Sequence, residues 1–313
     1  MGAQYHRVSV VIPVFQNKNS LQEVDDRISR IFKTEFPDLA YEVIYVDDGS
    51  TDGSYEELLN IAKKNSNARV LKLSKNFGQF AANTAGFSKA SGDIVVSTTA
   101  DLQDPPEVIV DLLNGILDGK DIMLAVRSKV RESLFRKFTS WLHYRLVALS
   151  VPSYPSRGFD FWAANKRAFS ALMSFNDVIR GYQIDLLSIG FERGIVEYEK
   201  QKRVHGKSQY SFFKRLNVSF NQIFASAFWP LRCVTYLGVL FTSFGIIYSA
   251  RLVYQYFYLE IPFLGWTPIM ILLLMIGGLI MFSLGIIGEY LWRIYFEIKR
   301  RPLYFIDHDI GSK

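Results

Sequence analysis

The chain has 313 residues, a formal net charge of +6, 49% hydrophobic residues and a mean hydropathy of +0.10, material for one sizeable domain plus a smaller, more apolar part. A single cysteine, Cys233, excludes an internal disulfide, and four scattered histidines argue against a zinc site. The basic excess suits an anionic membrane surface or an anionic substrate; nucleic acid is not expected, because no Lys/Arg-rich tail or recognition motif is present.

The opening MGAQYHRVSVVIPVF lacks a cationic region followed by a long apolar run, so no leader is expected. Apolar strand patterns then cover Val8–Val14, Tyr41–Val46, Val70–Leu73, Ile94–Thr98 and Ile122–Val126. Helical patterns over Leu21–Phe32, Ser54–Lys64, Ala81–Ala90 and Glu107–Leu117 alternate with them. Such alternation predicts an α/β fold with a mainly parallel sheet, whose ligands bind beyond the carboxyl ends of the strands. Three of those ends are polar. The first reads IPVFQN, with Pro13 ending the strand pairing; the second reads VDDGSTDGS, an acidic pair before glycine and helix-capping residues. The fourth reads TTADLQDPPE, with Pro105 and Pro106 at a helix start. DDGS alone also reads as an ordinary turn, but three polar ends on one sheet edge point to a site.

Further along, VRESLFRKFTSWLHYRL places Arg131, Arg136, Lys137 and Ser140 at helical spacing. The stretch SQYSFFKRLNVSFNQIFASAFW repeats Phe212, Phe213, Leu216, Phe220, Ile223 and Phe224 at helical intervals. That is the pattern of an amphipathic helix lying on a membrane surface, or of one facing a core. Next come two uncharged runs, CVTYLGVLFTSFGIIYSA between Arg232 and Arg251 and IPFLGWTPIMILLLMIGGLIMFSLGIIG between Glu260 and Glu289. Spanning a bilayer takes roughly 20 apolar residues. The fifteen Leu, Ile and Phe residues of the second run favour insertion by several kcal/mol, at about −0.3 to −0.6 kcal/mol each. Two buried core helices are the other reading, but a chain of this length cannot enclose both. Arg232 precedes the pair, and Arg293, Lys299, Arg300 and Arg301 follow it, which puts both termini in the cytoplasm.

SVVIPVFQN, VDDGSTDGS, KNFGQFAANTAGFSKASGD and ADLQDPPE, in this order, resemble the family-2 glycosyltransferases of the GT-A fold. With two C-terminal spans the resemblance narrows to polyprenyl-phosphate glycosyltransferases of the bactoprenol glucosyltransferase and dolichol-phosphate mannose synthase kind. It implies a GT-A catalytic domain (1–205), an amphipathic interfacial region (206–230), a transmembrane hairpin (231–292, helices at about 231–253 and 264–290) and a cytosolic tail (293–313). The implied activity is transfer of a sugar from a nucleotide donor, UDP-glucose first, to polyprenyl (undecaprenyl) phosphate at the cytoplasmic face of the inner membrane. GDP-mannose, UDP-N-acetylhexosamine and aminoarabinose-type donors are alternatives, as is a non-catalytic scaffold. A homo-oligomer, a tetramer by family analogy, is also implied.

The same resemblance assigns roles. Asp47 and Asp48 hold the base and ribose, with Pro13, Phe15, Lys75 and Ala100 completing the nucleotide site. The glycine of KNFGQ is expected to let backbone approach closely. Mg²⁺ or Mn²⁺ lies on Asp101 and Gln103; the usual Asp-x-Asp falls on Thr99-Ala100-Asp101, so its first carboxylate is missing and a catalytically silent relative is the competing reading. Arg127, Arg131, Arg136 and Ser140 receive the acceptor phosphate. In KRVHGKSQYS, Arg203, Gly206, Ser208 and Tyr210 match the loop that closes over the diphosphate; Gln209 replaces a lysine, and Lys207 stands two positions earlier. Asp160, in RGFDF, is expected to position the reactants or act as a weak base, or else to cap a helix starting near Asn165.

Overall fold

The computed structural model describes residues 5–128, 145, 155, 159–175, 182–201, 229–258, 266–299 and 301–311. The chain divides into two compact units, Met1–Ser219 with Arg301–Lys313, and Phe220–Arg300.

The first unit is built on an eight-stranded sheet: β1 (Arg7–Val14), β2 (Ala40–Asp47), β3 (Ala68–Leu73), β4 (Ile94–Ser97), β5 (Ile122–Arg127), β6 (Phe161–Asn165), β7 (Arg193–Tyr198) and β8 (Ile306–Ile310), in the order β7-β5-β6-β4-β1-β2-β3-β8. The expected parallel core is present, β1 pairing with β2 and β4, and β2 with β3. The sheet is nonetheless mixed, because β6 runs antiparallel to β4 and β5, and β8 antiparallel to β3. β7 is again parallel to β5. These directions bring the ends of β1, β2, β4, β5 and β7 and the start of β6 to one edge. Chain order reverses between β2 and β4 around β1, the switch point at which such sheets open a crevice.

Helices α1 (Leu21–Thr34), α2 (Ser54–Lys64), α3 (Gln79–Phe87) and α4 (Val108–Leu117) connect the central strands. The amphipathic pattern of α1 buries Leu21, Val24, Ile28, Ile31 and Phe32 against the sheet. Helices α5 (Lys166–Ser174) and α6 (Tyr182–Ser188) follow β6. Asn165 caps α5, accepting a hydrogen bond from Ala168 N at 2.9 Å, so the helix near Asn165 needs no cap from Asp160.

The second unit contains α7 (Trp229–Tyr258) and α8 (Trp266–Lys299), 30 and 34 residues long. Tyr236, Val239, Leu240, Ile246 and Ile247 on α7, and Leu273, Met281, Phe282 and Leu284 on α8, are exposed. Among the described residues no helix is long and apolar enough to cross a membrane; the full sequence of α8 nonetheless carries no charge from Trp266 to Gly288. Beyond α8, part of the expected tail returns as β8 to close the outer edge of β3. Arg69 grips Asp309 with two hydrogen bonds, Nε to Oδ1 at 2.9 Å and Nη2 to Oδ2 at 2.8 Å, and Ser74 N donates to Phe305 O at 3.0 Å.

Candidate active site

The loops after β1 and β2 are stitched together by hydroxyls of the DDGSTDGS stretch. Gln16 N donates to Ser50 Oγ at 3.1 Å and Asn17 N to Ser54 Oγ at 3.0 Å, fixing the backbone next to Pro13 and Phe15. Asp47 is fully buried. Its Oδ1 accepts from Ser50 N at 3.3 Å, while its Oδ2 has no hydrogen-bond partner among the described residues. A buried carboxylate oxygen left unsatisfied is costly, and is what a site awaiting an N–H or O–H donor shows. Burial pushes the Asp47 carboxyl above its usual range despite the Ser50 hydrogen bonds.

Asp48 does different work. Its Oδ1 accepts from Phe77 N at 2.7 Å and its Oδ2 from Gly78 N at 2.9 Å, so it pins the KNFG loop. Burial again raises its carboxyl, against those two bonds. Lys75, in the same loop, is exposed, its Nζ 5.1 Å from the Phe77 ring centroid. The expected close backbone approach belongs to another glycine. Gly78 takes φ +95° with open space where a Cβ would stand, so it supplies conformation; at Gly49 (φ +71°) a Cβ would lie 2.6 Å from Asn76 N.

After β4, Ser20 Oγ donates to Ala100 O at 2.6 Å, tying the TTADLQD turn to the start of α1. The Thr98 hydroxyl is buried without a partner among the described residues. Thr99 is not idle at the vacated acidic position: its Oγ1 lies 3.1 Å from Asp101 Oδ1 and 3.2 Å from Asp104 Oδ2. Gln103 N donates to Asp101 Oδ1 at 3.2 Å, and the Gln103 main-chain carbonyl accepts from Gln201 N at 2.9 Å. A main-chain carbonyl has two lone pairs, so Gln103 keeps oxygen donors on both its backbone and its side chain. Among the described residues no cluster of three His, Cys, Asp or Glu side chains could cage a metal. One carboxylate and one amide oxygen do fit a hard divalent cation completed by phosphate oxygens and water.

Arg127, at the end of β5, donates from Nη2 to Asp160 Oδ2 at 2.5 Å, and its Nε lies 4.0 Å from Asp104 Oδ1. Gln183 Nε2 donates to Asp160 Oδ1 at 2.8 Å. Burial alone would lower the Arg127 pKa, but the Asp160 and Asp104 carboxylates hold it above the ordinary arginine value. Tyr198, at the end of β7, donates from its hydroxyl to Asp104 Oδ1 at 2.5 Å; burial and then the Asp104 charge push its phenol well above the usual range. Asp160 thus has both oxygens engaged by an arginine and an amide, an arrangement that favours positioning over base work.

The edge therefore gathers Pro13, Phe15, Asp47, Asp48, Ala100, Asp101, Gln103, Arg127 and Asp160 at neighbouring strand ends. Arg131, Arg136, Ser140, Arg203, Lys207 and Ser208 lie outside the described residues, as does the amphipathic stretch from 206 to 228. Sequence reasoning missed Asp104, Tyr198 and Gln183. Asp104 was inside a quoted motif, four residues before a helix start, where an acid reads as a cap; Tyr198 ends a strand that carried no strong apolar pattern.

Residues 9–174 match the glycosyl transferase family 2 model, and residues 229–294 match that of the GtrB C-terminal hairpin. The chain belongs to glycosyltransferase family 2. Among its relatives is the undecaprenyl-phosphate 4-deoxy-4-formamido-L-arabinose transferase of Yersinia pestis, 31% identical over 98% of this chain and 94% of the relative. Another is the SfII prophage-derived bactoprenol glucosyl transferase of Shigella flexneri, 30% identical over 96% of this chain and 97% of the relative. The fold is shared with glucosyl-3-phosphoglycerate synthase from Mycobacterium tuberculosis, solved with Mn²⁺, UDP-glucose and phosphoglyceric acid (TM-score 0.52, 20% identity, 71% of this chain and 78% of that one).

Proposed function

We propose that this enzyme moves a sugar, glucose from UDP-glucose in the first instance, onto polyprenyl phosphate at the cytoplasmic face of a membrane, with a divalent cation bound. The observation that carries this reading is the meeting, at one sheet edge, of three unlike functions. A buried carboxylate oxygen lacks a donor (Asp47), a hard oxygen pair suits a cation (Asp101 with Gln103), and a half-buried arginine suits a phosphate (Arg127). The relatives named as acting on undecaprenyl phosphate or bactoprenol support the acceptor class.

In this reading Asp47 accepts a base N–H, and Asp48 holds the KNFG loop that walls the nucleotide. A divalent cation, when bound, would neutralise charge on the diphosphate leaving group. An acceptor phosphate oxygen forms the new bond to the anomeric carbon while the bond from that carbon to the nucleotide's diphosphate oxygen breaks, its electron pair leaving with the nucleoside diphosphate. The acceptor is already ionised near neutral pH, its second pKa being about 6, so no strong base is required. Arg127, oriented by Asp160, lowers the cost of bringing two anions together. The exposed apolar faces of α7 and α8 and their uncharged runs support a two-helix membrane hairpin with both ends cytoplasmic.

The test is incubation of the detergent-purified chain with polyprenyl phosphate, Mn²⁺ or Mg²⁺ and, separately, labelled UDP-glucose, GDP-mannose, a UDP-N-acetylhexosamine and an aminoarabinose-type donor. Lipid-linked label is expected with one donor, UDP-glucose first. Label from another donor corrects the sugar, and none from any donor leaves the scaffold reading.

A further inference from the structure

Asp104 is 2% exposed and lies between two groups that the reaction uses. A carboxylate buried so deeply costs several kcal/mol unless it is paired and hydrogen-bonded. Its partners are specific. Oδ2 receives the Thr99 hydroxyl at 3.2 Å; Oδ1 receives the Tyr198 hydroxyl at 2.5 Å and faces Arg127 Nε at 4.0 Å. Tyr198 and Arg127 thus face the same Asp104 oxygen, setting acid, phenol and guanidinium together. On the other side, the Thr99 hydroxyl has one proton and two carboxylates within reach, Asp101 and Asp104. A cation drawn to Asp101 takes over that acid's need for a donor and leaves the Thr99 proton to Asp104. The Asp104 charge, so satisfied, has less hold on Arg127, whose guanidinium must turn toward an incoming phosphate.

From this geometry we infer that Asp104, with Tyr198, is a positioning residue that couples the cation on Asp101 to acceptor-phosphate binding at Arg127. The inference rests on the proposed function for the identity of the acceptor, and on the structure for the linkage. Coupling of this kind is reciprocal: the cation tightens the acceptor by the factor with which the acceptor tightens the cation.

The test uses the full chain in detergent and the variants Asp104→Asn and Tyr198→Phe, the latter deleting one hydroxyl. Mn²⁺ binding is followed by the EPR signal of the free ion, with UDP present and with or without polyprenyl phosphate; steady-state kinetics give KM for the acceptor separately from kcat. In the unaltered protein, acceptor tightens Mn²⁺. In Asp104→Asn that tightening is expected to vanish, with Mn²⁺ about tenfold weaker, an acceptor KM that no longer changes with Mn²⁺ concentration and unchanged UDP affinity. Tyr198→Phe is expected to raise acceptor KM with a smaller effect on Mn²⁺, and it carries the test where Asp104→Asn does not fold. Coupling retained in both variants, or equal losses of UDP, Mn²⁺ and acceptor, would overturn the inference. Absence of transfer by the unaltered protein would instead sink the proposed reaction, while Mn²⁺ binding still reports on Asp104.

Discussion

Thr99 stands where a carboxylate was missed, and its hydroxyl keeps two neighbouring acids apart by sharing one proton between them. Replacing it with aspartate adds a third negative charge and removes that bridge. Thr99→Asp is therefore expected to lose on the order of 1–3 kcal/mol of stability without cation, to regain it with Mn²⁺, and to reach half-maximal turnover at less Mn²⁺; melting curves with and without the ion check this. The absent carboxylate was legible in the sequence. Asp104 was not, because its role depends on Arg127 and Tyr198 arriving from β5 and β7. Asp47 gives a pH test. Its carboxyl is raised, so the folded state binds a proton more readily than the unfolded one: the stability it contributes is full below the free-aspartate value of 3.8 and is lost as pH rises through the folded value. The melting temperature of the unaltered protein should thus gain on that of Asp47→Asn as pH falls from neutral toward 4. A difference flat with pH would mean that Asp47 does not titrate there. Asp47→Asn should also bind UDP more weakly at neutral pH.

At the scale of elements, β1 to β5 could be read because central strands are buried on both faces and must be continuously apolar. β7 and β8 escaped notice because edge strands have no such need: IDHDI on β8 is mostly exposed, and it pairs through backbone and the Arg69–Asp309 grip. What this strand does is local. Phe305 lies 6.2 Å from Phe77, in the loop that Asp48 pins, and His308 lies 6.3 Å from Tyr55, which Lys72 covers at 4.3 Å (ring-centroid distances). Removing residues 305–313 leaves the edge of β3 open, an invitation to intermolecular pairing. The shortened chain should aggregate on size-exclusion chromatography and bind UDP severalfold more weakly; full retention of UDP affinity would show that the loop stands without the strand.

On the scale of the whole molecule, the hairpin was the plainest signal, since uncharged runs of this length are rare outside membranes. Its topology is testable with the one native thiol removed (Cys233→Ser) and Tyr258→Cys introduced at the end of α7. A membrane-impermeant maleimide should label that residue from outside intact cells, and labelling only after lysis would reverse the orientation. The sequence position of the hairpin, between β7 and β8, also sets an order of events during synthesis. The ribosome delivers seven strands, then the hairpin, and only afterwards the strand that caps β3. At roughly 5–20 residues per second, the nascent sheet waits on the order of ten seconds with that flank uncovered, and the hairpin has left the ribosome before the loop pinned by Asp48 gains the support of Phe305. Full assembly of the catalytic domain is thereby deferred until the hairpin has been made.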